Sequence, residues 1–190
     1  MKVKDLILAN RSYRRFDESR PISRGEMVEM IDCARCSGSA ANRQPLKYII
    51  SSSAEMNAII FPHLAWAAYL KDWKGPEEGE RPAGYIIVLN DTEIHPLAGI
   101  DPGIACQSIL LKAVEGGLGG CMIANVKKAE LAAALRVPPH LEILIVIALG
   151  KPLETVVLEE AKGGEIRYYR DEKSVHHVPK RSLDDIIVSY

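Results

Sequence analysis

Asp101-Pro102-Gly103-Ile104-Ala105-Cys106-Gln107-Ser108-Ile109-Leu110-Leu111-Lys112-Ala113-Val114-Glu115-Gly116-Gly117 reads as the strongest helix of the chain. Asp is a favoured N-cap, and Pro fits the first helical position because its missing N–H had no helical partner anyway. Ile104, Ala105, Ile109, Leu110, Leu111 and Val114 wrap most of the circumference, so the helix is expected to be buried. The two glycines stop it. Tyr85-Ile86-Ile87-Val88-Leu89 and Ile143-Leu144-Ile145-Val146-Ile147-Ala148-Leu149 are nearly continuous apolar runs and read as buried strands.

Outward from this centre, Pro21-Ile22-Ser23-Arg24-Gly25-Glu26-Met27 is a helix start. Ser23 and Glu26 make a capping box, and Ile22 and Met27 close a hydrophobic staple around it. Met27, Met30, Ile31 and Ala34 then give one core-facing side, and the helix is expected to fail near Ser37-Gly38-Ser39. Lys4 to Asn10 reads as a short helix. Ser39 to Pro45 is a polar loop, and Lys47 to Ser51 a strand. Ala54 to Phe61 reads as a helix ended by Pro62, and 74–82 as a charged loop punctuated by Gly and Pro. Gly119 to Ile123 enters a strand or extended turn. Lys128 to Arg136 is helical up to Pro138-Pro139, and Glu165 to Arg170 reads as an edge strand. Strands and helices interleave without a regular βαβ period. The fold class read from this order is α+β, a mixed sheet flanked by helices in a single domain over 1–190.

The 190 residues are 47% hydrophobic and 26% charged, enough apolar material for a core. A formal net charge of −1 argues against a nucleic-acid binder. No apolar run approaches the roughly 20 residues of a membrane span. Leu6-Ile7-Leu8-Ala9 is too short for an export signal, so a cytoplasmic location is expected. Cys33, Cys36, Cys106 and Cys121 read as free thiols. Cys33-Ala34-Arg35-Cys36 has redox-motif spacing but lies late in a helix, away from the N-terminus where thiolates are stabilised, and reads as a core pair. No histidine spacing suggests a metal site, and His176 and His177 should face opposite sides of a strand. Gly116-Gly117-Leu118-Gly119-Gly120 follows a helix instead of opening one, so it reads as a helix stop, not a phosphate loop. No nucleophile-elbow pattern is present.

Two local basic clusters remain, Arg11-Ser12-Tyr13-Arg14-Arg15 and Pro179-Lys180-Arg181-Ser182. Guanidinium, ammonium and hydroxyl groups together suit a small, multiply charged anion such as a phosphate monoester. If the chain ends meet, they form the walls of one pocket.

The order of these features resembles the nitroreductase family of FMN-dependent oxidoreductases, over essentially the whole chain. The features are Arg11-Ser12-Tyr13-Arg14, the capped helix after Pro21-Ile22-Ser23, Ser39 to Pro45, the Asp101 helix closing on Gly117-Leu118-Gly119, and Pro179-Lys180-Arg181. The resemblance implies a homodimer with FMN at the subunit interface. It implies that Arg11, Ser12 and Arg14 contact the phosphate, ribityl chain and pyrimidine edge. Lys180 and Arg181 would reach the phosphate from the tail, about 174–190. Gly38, Ser39, Ala40, Asn42 and Gln44 would come from the other subunit. Met122, Ile123, Ala124 and Asn125 would lie along the isoalloxazine and offer a backbone N–H toward N5. Asn10, Gly38, Leu46 and Ala124-Asn125 depart from the usual family residues.

The implied activity is transfer of hydride from NADH or NADPH through FMN to a small acceptor such as a nitroaromatic or quinone, in a ping-pong cycle. No dedicated catalytic side chain is expected, because the cofactor carries the chemistry. Arg14 is the expected electrostatic tuner. The alternative is a flavin-binding protein for redox sensing or FMN storage, without significant turnover.

Overall fold

The computed structural model describes residues 2–188; the last two residues of the predicted tail lie outside the described residues. The elements in chain order are α1 (Val3–Ala9), β1 (Phe16–Asp17), α2 (Arg24–Arg35), β2 (Leu46–Ser51), α3 (Ala54–Ile60), β3 (Gly84–Asp91) and α4 (Asp101–Glu115). They continue with β4 (Gly119–Ile123), α5 (Lys128–Leu135), β5 (Leu141–Pro152), β6 (Val156–Glu160), β7 (Tyr169–Arg170), β8 (His176–Lys180) and α6 (Leu183–Ile186).

The two apolar runs pair with each other. β3 lies between β2 and β5, antiparallel to both, with Ile87 opposite Val146. The far edge of β5 is shared end to end: β4 covers Val146–Gly150 and β1 covers Lys151–Pro152. Strand alternation then sends side chains to two cores. Ile86, Val88, Ile147 and Leu149 pack on one face with Met27 and Met30 of α2 and Ile109, Leu110 and Ala113 of α4. Tyr85, Ile87, Leu89, Val146 and Ala148 pack on the other with Ile60 of α3 and Leu131 of α5. Every residue from Gly84 to Asn90 is buried, as the unbroken apolar run requires. A second, three-stranded sheet follows the core: β8 runs parallel to β6 and antiparallel to β7.

The α2 capping box forms as read: Ser23 Oγ accepts from Glu26 N at 3.2 Å and Glu26 Oε2 accepts from Ser23 N at 2.8 Å. Four boundaries differ from the sequence reading. Pro62 does not end α3; the chain tightens into a 3-10 turn over Phe61–His63. α5 stops before the prolines because Arg136 turns left-handed, at φ 53°. The edge strand shrinks to Tyr169–Arg170, since only those residues find partners on β8. Asp101 is not the N-cap of α4; Ile100 is, and the Asp101 carboxylate turns to a different task described below.

Candidate functional site

Gly119 and Gly120 position the first basic cluster. Ser12 bridges Gly120 in parallel, and Tyr13 N donates to Gly120 O at 3.1 Å. A Cβ on Gly119 would meet the Tyr13 ring at 2.5 Å, and one on Gly120 would meet Ala148 O at 2.5 Å. Only Gly116 and Gly117 therefore stop the helix, with Gly117 at φ 72°. Gly119 and Gly120 belong to β4 and let residues 12–13 lie directly against it.

Held there, the cluster's side chains separate. Arg15 turns away into a two-point ion pair with Glu80, one arm at 2.7 Å. Arg11 Nη2 donates to Ile7 O in the last turn of α1 at 2.7 Å, where a cation meets the negative helix end. Its Nε is buried without a partner among the described residues, and burial lowers its pKa against the opposing influence of Tyr13. Arg14 Nη1 donates to Ser12 O at 3.1 Å and lies 3.3 Å from His176 Nε2, while its guanidinium sits 5.0 Å from the centre of the Tyr168 ring. The buried Glu154 carboxylate accepts the Arg14 backbone N–H and, at 3.1 Å, the Arg170 guanidinium.

The two chain ends meet. A cleft of about 300 Å³ is lined by Arg11, Ser12, Arg14, Met122, His176 and Lys180, together with Asn10, Gln107 and Leu110. Arg181, the second predicted tail cation, is exposed and does not line it. A neighbouring cavity of about 180 Å³ is lined by the 65–68 turn and by Cys121 to Asn125, so Ile123, Ala124 and Asn125 open there. Arg14, Met122 and Tyr168 face both spaces. Of the aromatics before β3, Trp66 lines the second cavity and the Tyr69 ring packs tilted against Tyr168, centres 4.9 Å apart. Trp73 instead lies under Arg170 at 4.8 Å.

Gly38, Ser39 and Gln44 line a separate cavity of about 150 Å³ near the start of α4. Ala40 and Asn42 share their loop. Asp101 pins this loop: its carboxylate accepts from Ser39 Oγ at 2.6 Å and from Ala40 N at 3.0 Å. Gln44 N donates to Ser39 Oγ at 2.9 Å, and Gln44 Nε2 to Asn42 Oδ1 at 3.0 Å. Ala41, Asn42 and Gln44 all have φ between 51° and 53°, an uncommon and costly state for residues with a Cβ. Within one chain the loop does not line the basic cleft, and hydrogen bonds to Asp101 and within the loop support its strained shape.

On β8, His176 and His177 face opposite sides. His176 is 1% exposed; burial, then the Arg14 and Arg170 cations, push its pKa down to about 4. His177 lies between Glu159 (3.1 Å) and Asp171 (3.3 Å), and the hydrogen bond to Asp171 is the largest influence raising its pKa. Cys33 and Cys36 are exposed, not core, because α2 presents Met27, Met30 and Ala34 inward and its terminus outward. Cys106 and Cys121 are buried free thiols. One cluster with metal-ligand atoms, Asp91, Glu93 and His140, occurs among the described residues; Lys47 Nζ lies 3.8 Å from Asp91. No helix among the described residues is long and apolar enough to cross a membrane.

The sequence reading missed Glu154, Tyr168, His176 and Gln107. Gln107 is the one with a signal: a polar residue one turn before the apolar Leu110-Leu111 stretch of a largely buried helix.

The fold and site thus define an α+β protein with a basic, anion-suited cleft at the joint of two sheets. The chain belongs to the nitroreductase family, whose family model matches residues 7–151. A protein of Methanothermobacter thermautotrophicus, provisionally named an NADH dehydrogenase/NAD(P)H nitroreductase, is 29% identical over 161 residues, 81% of this chain and 79% of that protein. A solved nitroreductase family protein from Streptococcus pneumoniae TIGR4 superposes with a TM-score of 0.70 at 15% identity, covering 100% of both chains. A provisionally named nitroreductase from Exiguobacterium sibiricum, solved in complex with FMN, gives 0.67 at 17% identity, covering 81% of this chain and 90% of that one.

Proposed function

We propose that this protein is an FMN-dependent oxidoreductase that takes hydride from NADH or NADPH and reduces a small acceptor such as a nitroaromatic or quinone. The supporting observation is the basic cleft, where Arg11, Ser12 and Arg14 meet Lys180 from the other end of the chain. Its donor set suits a phosphate monoester, and the orphaned, buried Arg11 Nε calls for an acceptor.

FMN, when bound, supplies the hydride-accepting and electron-donating chemistry. Arg11 and Lys180 hold the phosphate, joined by the exposed Arg181, which is free to swing in. Ser12 serves the ribityl chain and Arg14 the pyrimidine edge. Met122 to Asn125 provide the surface along which the ring lies, beside the second cavity. Donor and acceptor occupy that cavity in turn, and Trp66 and Tyr168 limit its size and exclude water.

A homodimer completes the site in this reading. Val3, Ile7 and Leu8 on α1, Leu97 and Ile100 before α4, and Leu183, Ile186, Ile187 and Val188 in the tail are exposed apolar residues that need a covering surface. The pinned loop with Gly38, Ser39, Ala40, Asn42 and Gln44 then serves the partner's cleft.

The test is direct. Purified protein should be yellow or take up FMN, and NADH or NADPH should bleach it anaerobically, with colour restored by a quinone. Colourless protein that takes up no FMN contradicts the reading. Bound FMN that neither nicotinamide reduces assigns the protein to redox sensing or FMN storage instead.

A further inference from the structure

Arg14 and Arg15 are adjacent, yet they are held in opposite electrical ways. Arg15 is neutralised by Glu80. The Arg14 guanidinium has no carboxylate partner among the described residues. What surrounds it is a backbone carbonyl from its own segment (Ser12), an aromatic face from the stretch before β7 (Tyr168) and an imidazole from β8 (His176). The nearby carboxylate, Glu154, is occupied by the Arg14 backbone N–H and by Arg170.

We propose that His176 and Tyr168 are positioning residues that hold the Arg14 guanidinium in place without neutralising it, so that its whole charge faces the cleft. This rests on the FMN reading above. An arginine cannot accept a hydrogen bond, so His176 Nε2 must accept and Nδ1 must carry the ring proton. Nδ1 is buried with no partner among the described residues, which costs free energy and gives the fold no stability of its own. Such a residue is better explained by Arg14 than by packing. The groups facing His176 are Arg14, Arg170 and Tyr168, with His177 adjacent on the other side of the strand, and two of these are fixed cations. They and burial keep the imidazole neutral, with its pKa pushed down to about 4, so it accepts throughout the physiological range. Tyr168 adds an uncharged attraction through its ring face, and its ring itself lies in tilted contact with Tyr69, centres 4.9 Å apart, and with His176, 5.2 Å apart. Arg14 Nη1 makes both hydrogen bonds, and the buried Cys121 thiol is a further uncharged neighbour of the guanidinium.

An unneutralised cation favours the additional negative charge that FMN carries when reduced, so the holders should tune the cofactor's two-electron potential. The experiment uses FMN-loaded protein and reads that potential by equilibration with reference dyes. His176→Gln keeps a neutral acceptor and should change the ratio of reduced to oxidised FMN affinity less than threefold. His176→Glu places a negative charge beside Arg14 and should lower that ratio about tenfold or more, a fall of about 30 mV per tenfold for a two-electron couple. Tyr168→Phe keeps the ring face and should leave that ratio within threefold, while Tyr168→Leu should lower it at least threefold. Equal potentials in all four variants, or equal shifts for Gln and Glu, would overturn the proposal, because a merely structural role does not depend on the sign of the charge. If the Glu variant does not fold, His176→Phe replaces it: loss of the acceptor should shift the ratio at least threefold, and no shift overturns the proposal. Wild-type protein that binds no FMN instead overturns the cofactor reading, before any variant is made.

Discussion

The two sheets meet at the cleft but are held by different forces. β3 is buried along nearly its whole length, and its two faces feed two apolar cores. The sheet of β6, β8 and β7 has no such filling. Val157 and Tyr169 are exposed. Its contacts are polar: His177 between Glu159 and Asp171, Glu154 with Arg170, and Tyr169 stacked on His177 at 4.7 Å. The core sheet therefore fixes Arg11, Ser12 and Met122 rigidly. The polar sheet brings Tyr168, His176 and Lys180 to them through contacts that respond to pH and salt. A cofactor bridging the two would tie the weaker sheet to the stronger.

Deleting core volume should have the largest effect. Ile87→Ala should cost about 2–5 kcal/mol in urea unfolding, whereas Val157→Ala in the polar sheet should cost less than about 0.5 kcal/mol. Equal costs would break the comparison. Next is Glu154→Ala, which leaves Arg170 and the Arg14 N–H without their buried acceptor. It should cost about 3 kcal/mol, comparable to a core deletion although it removes a charge. A near-neutral result would mean that the joint between the sheets carries little strain.

Lys180→Ala should leave stability unchanged within about 0.5 kcal/mol but weaken FMN binding by about 1.5–3 kcal/mol, roughly tenfold to a hundredfold by fluorescence titration. An unchanged affinity would remove the tail from the site.

The smallest effect expected is on pH dependence, and the two histidines should act with opposite sign. The His177 pKa is raised, so its contribution is complete below about 6.5 and fades as pH rises through its folded value. The His176 pKa is lowered to about 4, so stability is lost as pH falls from about 6.5 toward 4. NMR titration should show one ring above the ordinary value and one far below it. Amide exchange in 176–180, corrected for intrinsic rates, should be slowest near neutral or slightly acidic pH. Two rings titrating together would contradict the assignment of faces.

The core sheet was readable because its signals are local and additive. An apolar run such as Tyr85 to Leu89, a capping box at Ser23 and Glu26, and Gly116-Gly117 after α4 each have one physical meaning. The basic clusters were readable as charge, and their family order gave them a role. The polar sheet was readable only in part: Glu165 to Arg170 and the His176-His177 pair read as strand, but nothing pointed to β6 or to the pairing. β6 reads as mixed polar and apolar residues, and its partner β8 is contributed from beyond a 15-residue connection rich in charge. Glu154 gave no sign of burial, since only the folded chain brings Arg14 and Arg170 to it. Asp101 was misread for a related reason. An aspartate before a proline is a sound N-cap, but the loop at Ser39 and Ala40 offered its carboxylate better partners than the helix end did.

The central claim is that the two ends of the chain form one phosphate site. Comparing FMN with riboflavin tests it most directly, because the two differ only by the phosphate. Titrated into the apoprotein, FMN should bind at least a hundredfold more tightly than riboflavin, and the difference should shrink as salt rises. Equal affinities would contradict the account.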